Sequence, residues 1–182
     1  NEVTKTLFRK YRGPGDYLQA PAGELEMDIR PTGFYHNKAK SIRGACEALL
    51  RDFHGEVPAT MEELLTLPGV GRKTANCVLG SVFGKAVGVV VDTHVLRLSK
   101  LLGLTRQTDP EKVERDLMRQ IPQDTWIDFS HMIIDHGRAV CKARRPDCPE
   151  CGIRRWCDYG RKTPNPHPLS PASPRPSPAG RG

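Results

Sequence analysis

Apolar positions along this chain recur at three- and four-residue steps, the period of helices packed on one face. The stretch from about Phe34 to His54 is the strongest case: Tyr35, Ala39, Ile42, Cys46, Leu49 and Phe53 form one stripe. Ahead of it, Asn1 to Arg12 has helical composition and Gly13-Pro14-Gly15 breaks it. Asp16 is expected to cap a short turn ending near Pro21. Gly23 to Arg30 predicts a further short helix before Pro31-Thr32-Gly33 turns the chain. Gly55 to Pro58 ends the long helix, and Thr60 with Glu63 forms a capping box for a short helix through Leu67. Arg72 to Phe83 reads as the next helix, with Ala75, Val78, Leu79 and Val82 inward and Gly84 as its stop. Val87 to Val91 is short, apolar and β-branched, and reads as a buried extended connection. Asp92 then caps a helix to Leu102, and Asp109-Pro110 opens one to Ile121 with cap and proline in favoured places. Asp124 to Val140 is the last long helix, with Trp126, Phe129, Ile133, Gly137 and Val140 on one side. The predicted fold class is all-α. The tail from Thr163 to Gly182, rich in Pro, Ser, Ala, Gly and Arg, has no means of burying a core and is expected to be disordered.

Between two of these helices lies Leu67-Pro68-Gly69-Val70-Gly71-Arg72-Lys73-Thr74-Ala75. Pro68 fixes one backbone angle, and Gly69 and Gly71 are free to take positive φ, so a tight hairpin is predicted. With no side chains in the way, its N–H groups can approach an anion that the positive end of the following helix also favours. A nucleic-acid phosphate fits that description, and Lys73 falls in the helix's first turn, close to such a strand.

Composition narrows the partner. The 182 residues carry a formal charge of +7, with a pI of about 9.3, which suits a polyanion. No apolar run approaches a membrane span and the N-terminus has no signal-peptide pattern, so a cytoplasmic or nucleoid-associated monomer is expected. Six cysteines in that setting argue for metal or redox chemistry over a disulfide framework. Four of them, Cys141, Cys148, Cys151 and Cys157, are spaced C-x6-C-x2-C-x5-C, close enough to enclose one soft metal centre. Zinc sites usually pair cysteines as two knuckles, and here only Cys148–Cys151 is one. Cys46 and Cys77 sit on helical faces and read as small buried hydrophobes.

Leu67–Ala75 together with Val91-Asp92-Thr93-His94 resembles the helix-hairpin-helix and Gly-Pro/Asp region of DNA glycosylases. With Lys73 and the cysteine spacing, the chain from about Ile29 to Tyr159 is similar to the endonuclease III family, oxidised-pyrimidine DNA glycosylases with lyase activity. The resemblance implies a helical barrel domain over 1–86 with the helix-hairpin-helix at about 60–83. A second helical domain over 87–160 would carry a [4Fe–4S] cluster loop at 141–157, ahead of the 161–182 tail. The wide first cysteine gap matches that family's cluster loop, with zinc as the alternative, and a structural role is expected of the cluster. The implied catalytic pair is Lys73, the Schiff-base nucleophile, and Asp92, a capping carboxylate that stays ionised and stabilises an oxocarbenium-like sugar. Arg72 beside Lys73 and the helix end are expected to favour the free amine. Related adenine glycosylases carry a small hydroxyl residue in place of the lysine and lack strong lyase activity. Duplex DNA with a damaged base or an abasic site would be gripped by Leu67, Pro68, Gly69, Val70, Gly71 and Arg72. Lys142, Arg144 and Arg145 would add contacts, with Arg154 and Arg155 also facing phosphates. His94 supports the Asp92 segment or simply packs, and His136 reads as structural. The family has two helices ahead of the point where this chain begins, so a truncated chain with weaker lesion binding is expected. Other readings are a glycosylase for another lesion or mismatch, a DNA-binding module without turnover, and an iron–sulfur electron carrier.

Overall fold

A computed structural model describes residues 2–163; residues 164–182 of the proline-rich tail and their expected disorder lie outside them, while Arg161 and Lys162, expected to begin that tail, belong to the last helix. Among the described residues the chain is all-α, with no strand. In order, the helices are α1 (Glu2–Lys10), α2 (Pro14–Gln19), α3 (Glu24–Ile29), α4 (Tyr35–Asp52), α5 (Met61–Leu64), α6 (Arg72–Phe83), α7 (Thr93–Leu102), α8 (Pro110–Gln120), α9 (Trp126–Ala139) and α10 (Asp158–Lys162). Short 3-10 turns follow α3, precede α9 and precede α10. None of the helices is long and apolar enough to cross a membrane.

The apolar side chains gather in three clusters. Leu7, Tyr11, Leu25, Ile29 and Ala39 form the first, joining α1, α3 and the start of α4. Arg43 of α4 adds a polar tie, donating to the carbonyls of Leu18 and Ala20 at the end of α2, groups that a helix terminus leaves without partners. Ala48, Leu64, Leu67, Ala75 and Leu79 form the second, between α4, α5 and α6. The third, drawn from Val89 onward, is Val91, Val95, Leu98, Val113, Leu117, Trp126 and Ile133 with Val89 itself. Helix α4 is therefore buried twice: Ala39 and Ile42 face the first cluster, and Ala45, Ala48 and Leu49 the second.

Local capping chemistry set most boundaries as predicted. Asp92 caps α7 and Asp109 caps α8, and the Thr60 hydroxyl accepts the Glu63 N–H at the start of α5. Asp16 differs: it lies inside α2, and its carboxylate reaches back to the N–H groups of Arg12 and Gly13 at 2.7 and 3.1 Å, while Gly13 is the N-cap. Helix α5 ends at Leu64 instead of running to Leu67. Leu67 precedes a proline, whose ring disfavours helical torsions in the residue before it. A 3.2 Å bond from the Leu67 N–H to the Leu64 carbonyl closes the turn instead.

Helix α6 packs differently from its apolar pattern. Ala75 and Leu79 are buried as expected, but Val82 is 68% exposed, Cys77 is exposed, and Asn76 is buried. The buried arc is rotated toward Asn76 because Gly88 and Glu114 press on that side. Cys46 is buried as expected. Leu79→Ala should therefore cost roughly 2–5 kcal/mol, while Val82→Ala one turn later should stay within about 0.5 kcal/mol. Urea denaturation of the two variants checks this; similar losses would mean that the apolar stripe, not the rotated arc, marks the core.

Candidate active site

The hairpin between α5 and α6 is built on close approaches to α4. Gly69 has φ of +79°, the left-handed region. A Cβ on it would lie 2.5 Å from Cβ of Ser41 and 2.8 Å from its hydroxyl. Pro68 in turn sits against Gly44, where a Cβ would be 3.1 Å from the proline ring. Leu67 is buried in the second cluster, with Val70 packed against it, so these two anchor the hairpin while Pro68, Gly69 and Gly71 are exposed. Gly71 departs from expectation: its φ is −97°, and nothing lies within 4 Å of the site its Cβ would take. Its bareness keeps open the approach to the first-turn N–H groups of α6, which no side chain caps.

Lys73 stands in that first turn, exposed, and has no acidic partner among the described residues. Arg72 beside it does not share that freedom. Its guanidinium donates from Nε to Glu114 Oε2 at 2.7 Å and from Nη2 to Oε1 at 3.2 Å. The bond to Glu114 raises the Arg72 pKa further above its ordinary value. The pairing offsets the charge expected to act on Lys73 and occupies two of the guanidinium's donors. Glu114 is a buried acid that the residue pattern did not single out. Its one sequence signal is a charged residue between Val113 and the inward positions of α8.

Asp92 caps α7: Oδ1 accepts the N–H groups of His94 and Val95, both at 2.8 Å. Its second oxygen has no partner among the described residues. His94 packs against α9, where Gly137 makes room; a Cβ there would be 2.7 Å from Nδ1. The strand-like run leading to Asp92 lies beside α6: Gly88 and Val90 share a cavity of about 70 Å³ with Asn76, Cys77 and Ser81 of α6. Lys73 and Asp92 stand at the positive ends of two helices, and the segment leading into the second packs along the first.

Phe34 was not picked out by periodicity. It adopts φ of +50°, is 87% exposed, and borders a groove with Lys38, Ser41 and hairpin Gly69. A large aromatic side chain held in a left-handed conformation and left in water is unfavourable for folding, which makes it a candidate contact.

The four cysteines line one cavity, with Leu98, Leu101, Leu102 and Ile153 as apolar wall. Among the described residues no three His, Cys, Asp or Glu side chains converge closely enough to hold a metal ion. Polar groups surround the sulfurs: the Gly160 N–H donates to Cys157 Sγ at 3.3 Å, Arg97 donates to Cys141 Sγ at 3.7 Å, and His136 Nε2 lies 3.7 Å from Cys151 Sγ. Burial pushes the Cys148 thiol up, and the three neighbouring thiols push it further. Burial and the nearby Arg97 push His136 down. Four such thiols deprotonate together only around a cation, so the donor set fits a soft metal centre.

Of the basic residues around this loop, Lys142, Arg144 and Arg145 are exposed and have no acidic partner among the described residues. Arg154, expected to face phosphates, instead donates to the carbonyls of Gly160 and Thr163 and braces α10. Arg155 stacks on Trp156 at 3.7 Å.

A family model described as HhH-GPD superfamily base excision DNA repair protein matches residues 1–123. The chain belongs to the HhH-GPD superfamily of base excision DNA repair proteins. Within HhH-GPD proteins it is 55% identical over 157 residues to endonuclease III of Synechocystis, covering 86% of this chain and 72% of that protein. Endonuclease III of Bacillus subtilis is 48% identical over 163 residues, covering 89% and 74%. A solved non-covalent endonuclease III–DNA complex superposes with a TM-score of 0.84 at 48% identity, covering 89% of this chain and 76% of that one. A thermostable thymine-DNA glycosylase has a TM-score of 0.76 at 26% identity, with 89% and 76% covered.

Because the HhH-GPD hairpin depends on Gly69, Gly69→Ala should lose at least about 1–2 kcal/mol from the left-handed torsion alone. It should also weaken duplex DNA binding, since α4 and the hairpin must separate around Ser41. Thermal melting and fluorescence anisotropy on the same preparation check both; an unshifted melting point would overturn the packing account.

Proposed function

We propose that this protein is a DNA glycosylase with abasic-site lyase activity that removes oxidised pyrimidines from duplex DNA. The observations that carry the proposal are Lys73, without an acidic partner among the described residues, in the first turn of α6 beside an open glycine hairpin, and Asp92, with one oxygen uncommitted among the same residues, at the N-cap of α7. The endonuclease III relatives, at 48–55% identity, support the choice of oxidised pyrimidines. The thymine-DNA glycosylase with the same fold supports the view that base choice rests on side chains outside the shared frame.

In this reading the hairpin N–H groups bind a phosphate, and Lys142, Arg144 and Arg145 extend the grip without reading sequence. Phe34 supplies an apolar wedge beside the hairpin when a base leaves the stack. Lys73 Nζ then forms a bond to the sugar C1′ as the glycosidic bond breaks, and the base departs with the bonding electrons. The free oxygen of Asp92 stabilises the positive charge that develops on the sugar. The sugar ring opens to a Schiff base on Lys73. Loss of a C2′ proton then expels the 3′ phosphate by β-elimination. A protein working on chromosomal DNA in this way would sit with the nucleoid.

The four cysteines would hold a [4Fe–4S] cluster. When bound, the cluster supplies a structural cross-link for a loop with little core of its own. Cys148→Ser should lose the brown colour and the iron content and melt at a lower temperature. A colourless parent protein that carries one zinc would refute the assignment.

Borohydride trapping on a duplex with one abasic site tests the chemistry. The parent should give a covalent protein–DNA adduct, and Lys73→Ala should give none. Asp92→Asn keeps a good helix cap, so it should preserve stability and slow turnover more than binding. Equal losses in rate and affinity would count against a catalytic Asp92.

A further inference from the structure

Glu114 is a buried titratable group that the proposed chemistry does not use. It lies on α8, 4% exposed, beside Val113 and Leu117 of the third apolar cluster. A carboxylate that deep is tolerated only when its charge and lone pairs are met. Two side chains of α6 meet it with hydrogen bonds, and Gly88 of the segment leading to Asp92 packs against it. Arg72, adjacent to Lys73, grips it with two donors at 2.7 and 3.2 Å. Asn76, one turn further along α6, donates Nδ2 to Oε1 at 2.8 Å. Gly88, four residues before Asp92, lies so close that a Cβ would collide with Glu114 Oε1 and stand 2.7 Å from the Asn76 amide.

We propose that Glu114 is a positioning residue that fixes the first turn of α6 against the segment leading into Asp92, and so holds Lys73 and Asp92 in register. The inference rests on reading those two residues as the reacting pair. The physical case is directional. Lys73 is exposed and has no acidic partner among the described residues, and residues 84–92 have no regular secondary structure to carry their own alignment. Apolar packing resists separation of helix and segment but allows roll and slide. The forked guanidinium of Arg72 fixes the angle and the distance between α6 and the Glu114 carboxylate of α8, on which the Gly88 backbone rests. The amide of Asn76 adds a second point on the same helix, so rotation of α6 about its axis breaks one bond or the other. Gly88 has no side chain, which lets the backbone come down onto this node. A displacement of about 1 Å at a reacting centre is enough to slow chemistry by about 100-fold.

The test is single-turnover adduct formation on saturating abasic-site duplex, with borohydride, using the full chain. Glu114→Gln keeps the shape and can still accept from Arg72 or Asn76. It should form the Lys73-dependent adduct about 10- to 100-fold more slowly, with final adduct yield and duplex affinity within about threefold of the parent. Circular dichroism at the assay temperature confirms that the variant is folded, and Gly88→Ala, which displaces the same node from the other side, should show the same split. A purely structural role would lower the final yield, the folded fraction, without changing the rate. A Glu114→Gln rate within about threefold of the parent, or rate and affinity falling together, would overturn the inference while leaving Lys73 in place. A parent that forms no Lys73-dependent adduct would overturn the underlying reading, and this one with it.

Discussion

Gly69 meets Ser41 at a distance that no side chain allows, in a conformation that side chains rarely adopt. Much of the site follows from that contact. It seats the hairpin on α4, with Gly44 receiving Pro68 from the same side. It also brings the open N-terminus of α6 to the surface with Lys73 in its first turn. Glycine is a weak residue for stability, since it loses the most conformational freedom on folding. Here the loss is offset by Leu67 and Val70, which carry the hairpin into the second apolar cluster. Exposed and buried positions therefore alternate within a few residues, and the backbone is left bare where a strand would lie.

Asp92 shows one carboxylate serving two ends. One oxygen is spent on the N–H groups of His94 and Val95, which fixes its position. The other is unpartnered among the described residues, and in the proposed function it is the one that acts on the sugar. Helix α7 connects this end to the cysteine cavity. Arg97 on its flank donates to the Cys141 carbonyl at 2.5 Å, the Leu101 carbonyl accepts from Cys157 Sγ at 3.3 Å, and Gly103 at its C-cap receives Asp158 of α10. A change in the loop around the cysteines is thus a change at both the flank and the end of the helix that Asp92 caps.

The basic surface is smaller than the charge total suggests. Arg72 is committed to Glu114, Arg154 to carbonyls of its own loop, and Arg43 to the end of α2. Lys73, Lys142, Arg144 and Arg145 are among the basic residues that are exposed without acidic partners among the described residues. A positive residue in the sequence is only a candidate for DNA until its hydrogen bonds are known, because a guanidinium offers five donors that a folded chain readily uses.

The residues alone were enough for the helices, the caps at Thr60, Asp92 and Asp109, the hairpin and the cysteine spacing. These depend on neighbours within four positions along the chain, where torsional preference and side-chain reach decide the outcome. Leu67 before Pro68 is a case where a further local rule shortens an expected helix: the proline ring disfavours helical torsions in the residue before it, and α5 stops at Leu64. What the tertiary structure alone decided was the rotation of α6 toward Asn76, the burial of Glu114, the diversion of Arg72 and Arg154, and the exposure of Phe34, Cys77 and Val82. The rotation, the burial and the Arg72 diversion turn on a partner distant in sequence, 42 positions between Arg72 and Glu114 and 38 between Asn76 and Glu114. A buried charge and a rotated face are set by what comes to lie opposite, and periodicity along one helix carries no record of that.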